Sequence, residues 1–140
     1  MRVRNTTTIS NRAIRDVANF VMPPGITNVT IKVQNRKDWY SGHGGGRCVT
    51  LRIAPPDKYP LRPVPPHGGY LGSPWLANRM EALVFLMAHE LRHCWQSKIK
   101  RGRRVWGSRG QYSERDADAY ALRMLRAWRR RGSTHQPTED

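Results

Sequence analysis

The stretch from Leu76 to Trp95 constrains this chain more than any other, because it is apolar almost all round yet carries His89-Glu90-Leu91-Arg92-His93 near its end. A helix that is hydrophobic on most sides has to be buried against more than one layer. Imidazoles and a carboxylate inside such a helix are costly unless something charged satisfies them. Residues four apart on a helix share a face, so the rings of His89 and His93 project to one side, about 6 Å apart along the axis. Two neutral imidazoles so placed can share one metal ion. Glu90, about 100° round the helix, can reach a water on that metal without ligating it. Ser73-Pro74 reads as the opening of this helix, with serine as cap and proline at the first helical position.

The remaining segments read as a scaffold for that helix. Residues 1–8 are expected to fray. Ile9 to Met22 has Ile14, Val17, Ala18 and Val21 on one stripe, Ser10 or Asn11 as cap, and Pro23-Pro24-Gly25 as stop. Val29–Gln34 and Val49–Ile53 alternate apolar and polar residues, the pattern of half-buried strands. Between them, Trp39 to Gly46 is glycine-rich, a long hairpin loop or a broken extra strand. A phosphate-binding loop is not expected there, since a strand and not a helix N-terminus follows. Ala54 to Pro66 holds Pro55, Pro56, Pro60, Pro63, Pro65 and Pro66, which exclude helix and central strand and imply a stiff extended crossover. Gln96 to Gly110 is a basic loop. A last helix is expected from Ser113, its cap, with Asp116 three residues on, an apolar stripe of Ala117, Ala121, Met124, Leu125 and Trp128, and an end at Arg129-Arg130-Arg131-Gly132. These pieces predict one α+β domain over residues 1–132: an N-terminal helix, a small, mostly antiparallel twisted sheet, the buried histidine helix and a C-terminal glutamate-bearing helix. Residues 133–140 are predicted to be a disordered tail.

Two histidines do not complete a metal site; a catalytic zinc takes a third protein ligand and keeps a position for water. Glu114, in the first turn of the last helix and beside its core-facing stripe, is the leading candidate. Asp118, one turn later on the same side, is placed to accept the Nδ1–H of a histidine ligand. His43, His67, His135 and Asp116 are the alternatives for the third ligand. Cys94 points away from His93 and reads as a core thiol.

His-Glu-x-x-His followed by a glutamate on a second helix resembles the gluzincin metallopeptidases, of which thermolysin is the familiar example. Glu114-Arg115-Asp116-Ala117-Asp118-Ala119-Tyr120-Ala121-Leu122-Arg123-Met124-Leu125 is similar to the ExxAD-type helix of ImmA/IrrE-like peptidases and to that of minimal single-domain gluzincins. The resemblance covers residues 75–130 closely and the strands only in general architecture. It implies a zincin-like fold, one Zn²⁺ per chain held by His89, His93 and Glu114, Glu90 as general base and Asp118 behind a histidine. Arg92 stands where many relatives have glycine, a change expected to fall on an exposed position. The group that stabilises the developing oxyanion has no clear counterpart; Tyr112, Tyr70 and Arg109 are the candidates. The implied activity is hydrolysis of peptide bonds in a peptide or protein. An extended substrate is expected to add to a sheet edge, with Val49–Ile53 as the candidate strand.

The formal net charge of +15 admits a second class of function. Such a surface attracts nucleic acid, and thirteen of the 25 Lys and Arg residues lie between Arg92 and Arg131. Lys98–Arg109 and Arg123–Arg131 are therefore candidate nucleic-acid contacts, whether in an SprT-like protease acting at DNA or in a binding module with structural zinc. Those proteases use a third histidine that this chain does not offer in the right place. The bland alternative is compositional, because only five of the 25 are lysine, as a GC-rich genome would produce. An inactive zincin kept as an interaction domain is a third option, against which the intact Glu90 argues. Two cysteines, Cys48 and Cys94, make no disulfide framework. With no membrane span and no signal peptide, the expected location is the cytoplasm, and a phage or mobile-element origin is compatible with it.

Overall fold

In the computed structural model, residues 1–36, 41–45, 47–65, 68–100 and 110–132 are described. The alternation seen in the sequence becomes two central strands, β2 (Thr30–Asn35) and β4 (Cys48–Ile53). Ile31 and Val33 of β2, and Val49, Leu51 and Ile53 of β4, all point into the core. The strands lie parallel with Ile31 beside Val49 and Val33 beside Leu51, so the apolar residues line up on one face.

The sheet is not mostly antiparallel as the sequence led one to expect. Its strand order is β1-β2-β4-β3, where β1 is Arg2–Asn5 and β3 is Ser41–Gly45. β1 runs parallel to β2, and only the β3–β4 pair is antiparallel. β3 lies one place away from β2 and runs opposite to it, and β4 fills the place between them, parallel to β2. Two reversals restore the original direction. The N-terminal residues expected to fray are thus an edge strand, held by Arg2 N–H to Val29 carbonyl and Thr6 N–H to Val33 carbonyl, each 3.0 Å. The glycine-rich connection supplies the other edge.

Helix α1 (Asn11–Val21) is capped by Ser10, whose Oγ accepts the Ala13 N–H at 3.0 Å. It buries Ile14, Val17, Ala18 and Val21, the stripe expected, and Ala13 beside them. Helix α2 (Arg79–Lys100) begins later than Ser73-Pro74 suggested. Leu61 and Leu76 form an antiparallel bridge, which keeps the backbone extended past the proline. Asn78 caps the helix instead: its Oδ1 accepts the Glu81 N–H, while Glu81 Oε1 accepts the Ala77 N–H, each at 2.9 Å. From Ala82 to Ala88 every side chain is fully buried, as a helix between layers requires. On one side α2 packs on β3 and β4; α1 and helix α3 (Gly110–Gly132) pack on its others.

Helix α3 starts at Gly110, so Ser113 lies inside it and is not its cap. Ala117, Tyr120, Ala121, Leu125 and Trp128 are buried. Trp128 meets Phe20 of α1 edge-on at 5.3 Å, and the Tyr120 hydroxyl donates to the Val21 carbonyl, which fixes α3 against the end of α1. Among the described residues, no helix is long and apolar enough to cross a membrane.

Candidate metal centre

The core-facing sides of α2 and α3 bring His89, His93 and Glu114 together, with ligand atoms all within 4.8 Å of one another. His89 Nε2 lies 2.9 Å from Glu114 Oε2, and His93 Nε2 lies 3.0 Å from Glu114 Oε1. The two Nε2 atoms are 3.3 Å apart. Those are the three residues that the sequence put forward. Of the alternative ligands, Asp116 is near but pairs with Arg92. His43 lies on β3, its side chain outside the described part; His67 and His135 lie outside the described residues.

The back of each ring is held by an acceptor. Asp118, fully buried, places Oδ1 3.0 Å from His89 Nδ1. Its other oxygen accepts the backbone N–H of Tyr70 and of Leu71. His93 Nδ1 lies 2.8 Å from Gln96 Oε1. That amide is oriented by its own donors, since Gln96 Nε2 gives hydrogen bonds to the Ser113 carbonyl at 2.9 Å and Asp116 Oδ2 at 2.8 Å. The Ser113 hydroxyl also donates to Gln96 Oε1 at 2.6 Å. So both rings carry hydrogen on Nδ1, which leaves each neutral Nε2 as a bare lone pair aimed at the same spot as the Glu114 carboxylate.

Three acceptors facing one another require a positive charge between them. With protons alone, His89 takes this charge. Burial is the largest single influence and opposes it, yet hydrogen bonds to Asp118 and Glu114 and the fields of Glu90 and Glu114 outweigh burial and lift the ring to about 9. For His93, burial again opposes the charge, and so does His89; the hydrogen bonds to Glu114 and Gln96 raise it on balance. Burial pushes Glu114 up, but both imidazoles hold it down to about 2. Two charged rings 3.3 Å apart repel, whereas a single divalent ion satisfies all three groups with both rings neutral. Tetrahedral bonds of about 2.0–2.1 Å put neighbouring donor atoms roughly 3.3–3.4 Å apart, the scale of the spacing here. The donor set of two imidazoles and a carboxylate therefore fits a metal ion.

Glu90 is buried next to His89. The Tyr70 phenol is exposed enough to meet solvent yet feels the site: modest burial first, then the charges of Glu114 and Asp118, raise its pKa. The side chain of Tyr112, and Arg109, lie outside the described residues, as does most of Lys98–Arg109. Arg92 is not the exposed position expected. Its guanidinium pairs with Asp116 at 2.8 Å, and stacks over Trp95 at 3.7 Å and Tyr120 at 5.2 Å, so it bolts α2 to α3 beside the His89–His93–Glu114 cluster. Sequence reasoning missed Gln96 and Ser113 as the support of His93. Gln96 follows His93 by three residues, within reach on one helix face, and that spacing was the available signal. The loop that feeds Tyr70 and Leu71 to Asp118 had no signal beyond its glycines. Comparison of the chain with protein-family models, with curated proteins and with solved structures yields no match.

Proposed function

We propose that this chain is a small zinc-dependent peptidase of the gluzincin kind, with a zincin-like fold, His89, His93 and Glu114 as ligands and Glu90 as general base. The observation that carries the reading is the convergence of two Nε2 lone pairs and a carboxylate on one point, with both Nδ1–H groups occupied behind them. A site meant only to brace the fold would be closed on all sides. Here His89 is 1% exposed but His93 is 13% and Glu114 25%, so one flank faces solvent.

Zinc bound there would lower the pKa of a water towards neutrality and polarise the carbonyl of a peptide bond. Glu90 accepts the proton of the attacking water and then delivers it to the leaving amine nitrogen. Asp118 and Gln96 keep the rings in one tautomer throughout. The Tyr70 phenol, near enough to Glu114 to feel its charge, donates to the developing oxyanion. The peptide adds as a strand to a sheet edge. The strand expected to receive it, Val49–Ile53, lies within β4, between β2 and β3, and has no edge to offer. Of the two edge strands, β3 is the one that packs on α2, the helix that carries His89 and His93.

Two measurements on the purified protein test the reading. Metal analysis should return about one zinc per chain. Digestion of a proteome-derived peptide library should yield new termini that vanish on adding a chelator and return with zinc. Stoichiometric zinc without cleavage of any peptide would leave a metal protein that is not a peptidase.

A further inference from the structure

Helix α3 has two opposite faces. One carries Glu114, Ala117, Asp118, Ala121, Leu125 and Trp128 inward. The other presents Arg115, Ala119, Arg123, Arg126 and Arg130, all exposed. At 100° per residue those five positions fall within an arc of roughly 80°, directly behind the buried stripe, and they span roughly 22 Å of axis. The macrodipole accounts for cations in the last turn. It does not account for Arg115 near the other end, where the dipole disfavours a positive charge, or for Arg123 and Arg126 in the middle.

The carboxylates of the fold are engaged elsewhere. Among the described ones, Asp16 holds Arg131, Glu81 holds Arg129 and Asp116 holds Arg92. Glu114 and Asp118 are turned to the histidines, Glu90 is buried, and only Asp57, in the turn after β4, is exposed and outside these groups. Arg115, Arg123 and Arg126 have no ion pair among the described residues. We infer that the outer face of α3 is a docking surface for the phosphate backbone of a nucleic-acid duplex, held chiefly through Arg115, Arg123 and Arg126.

The choice of occupant follows from the face itself. Guanidinium groups match phosphate oxygens in bidentate geometry, and a straight, rigid row suits a straight, rigid polyanion. Single strands are held by aromatic platforms on which bases stack, but the exposed positions of this face are arginines and one alanine. An anionic membrane would be met by an amphipathic helix with an exposed apolar side, and the apolar side of α3 is already covered by α1 and α2. The duplex lies along the back of α3, so the metal centre on its inner side stays open. If the peptidase reading holds, its substrates are proteins carried on the same duplex; the docking itself does not depend on that reading.

The experiment uses the full zinc-loaded chain and a fluorescent DNA duplex of roughly 20 base pairs, titrated by anisotropy across a salt series. One variant is R115Q/R123Q/R126Q. The other is R2Q/R4Q/R12Q, three exposed arginines on β1 and α1. Each removes three cations and lowers the net charge from +15 to +12. The α3 triple should weaken binding at least tenfold at low salt and cut the slope of log K against log salt by roughly 2–3, at about 0.9 for each phosphate no longer neutralised. The control triple should change little. Restoring charge with R115K/R123K/R126K should recover most of the slope, which separates loss of phosphate binding from a damaged fold. The proposal is overturned if the wild-type chain fails to bind the duplex at about 50 mM salt, if both triples lose equally, or if a single strand or a vesicle rich in anionic lipid binds more tightly than the duplex.

Discussion

Asp118 serves three partners with its two carboxylate oxygens: Oδ1 lies 3.0 Å from His89 Nδ1, and Oδ2 accepts the backbone N–H groups of Tyr70 and Leu71. One buried group therefore orients the imidazole of a candidate ligand and pins the backbone at Tyr70 and Leu71.

Replacing Asp118 by Asn keeps the size but gives the position a weaker acceptor and a neutral group. Zinc affinity should fall roughly 10–100-fold, the usual cost of losing a carboxylate behind a histidine ligand. Competition against a chromogenic chelator measures that. Amide exchange at Tyr70 and Leu71 should accelerate in the same variant, because their acceptor is the group that was weakened.

Gly68 has φ +104°, and a Cβ there would come 2.7 Å from Phe85 Cε1, 3.0 Å from Pro63 Cβ and 3.3 Å from Asp118 Oδ1. Gly68→Ala should therefore destabilise the fold by about 1–3 kcal/mol and weaken zinc binding along with it. Gly72 also has positive φ, at +127°, but open space around it. Gly72→Ala should carry the backbone strain alone and leave zinc affinity unchanged. Equal zinc affinities for the two variants would break the link drawn between the loop and the metal centre.

Zinc uptake should release protons. In the ion-free chain His89 is held at about 9 against 6.5 for a free imidazole. A raised folded-state pKa means that the charged ring stabilises the ion-free fold below pH 6.5, and that this contribution fades as pH rises through about 9. Zinc needs the neutral ring, so near pH 7.5 binding should expel about one proton, and apparent affinity should climb with pH until about 9. Calorimetry in buffers of different ionisation heat counts the proton; a count of zero would mean that His89 is already neutral.

Under the proposed peptidase mechanism, Glu90→Gln should retain zinc, since Glu90 is not one of the three proposed ligands, while peptide cleavage falls by roughly 10²–10⁴-fold with the loss of proton transfer. Metal content and single-turnover cleavage are measured on the same preparation. Cleavage at the wild-type rate would assign the base to another group.

Sequence alone determined what depends on spacing along one element. His89 and His93 share a face because they are four residues apart on a helix that its apolar composition forces inward. Glu114 and Asp118 share a face for the same reason, and the stripe from Ala117 to Trp128 turns that face towards the core. The inward residues of β2 and β4 were equally local, and so was the cap of α1, which the sequence narrowed to Ser10 or Asn11. Tertiary structure decided what depends on direction and on partners distant in the chain. Alternation tells which residues of a strand point inward but not which way the strand runs, so the parallel β2–β4 pair depends on the antiparallel β3 at the far side of β4. Arg92 finds Asp116, Gln96 finds Ser113, and Asp118 finds the amides of Tyr70 and Leu71 across 24, 17 and 47–48 residues. Such pairings are set by how α2, α3 and residues 68–76 pack in three dimensions, and no periodicity along the chain encodes them.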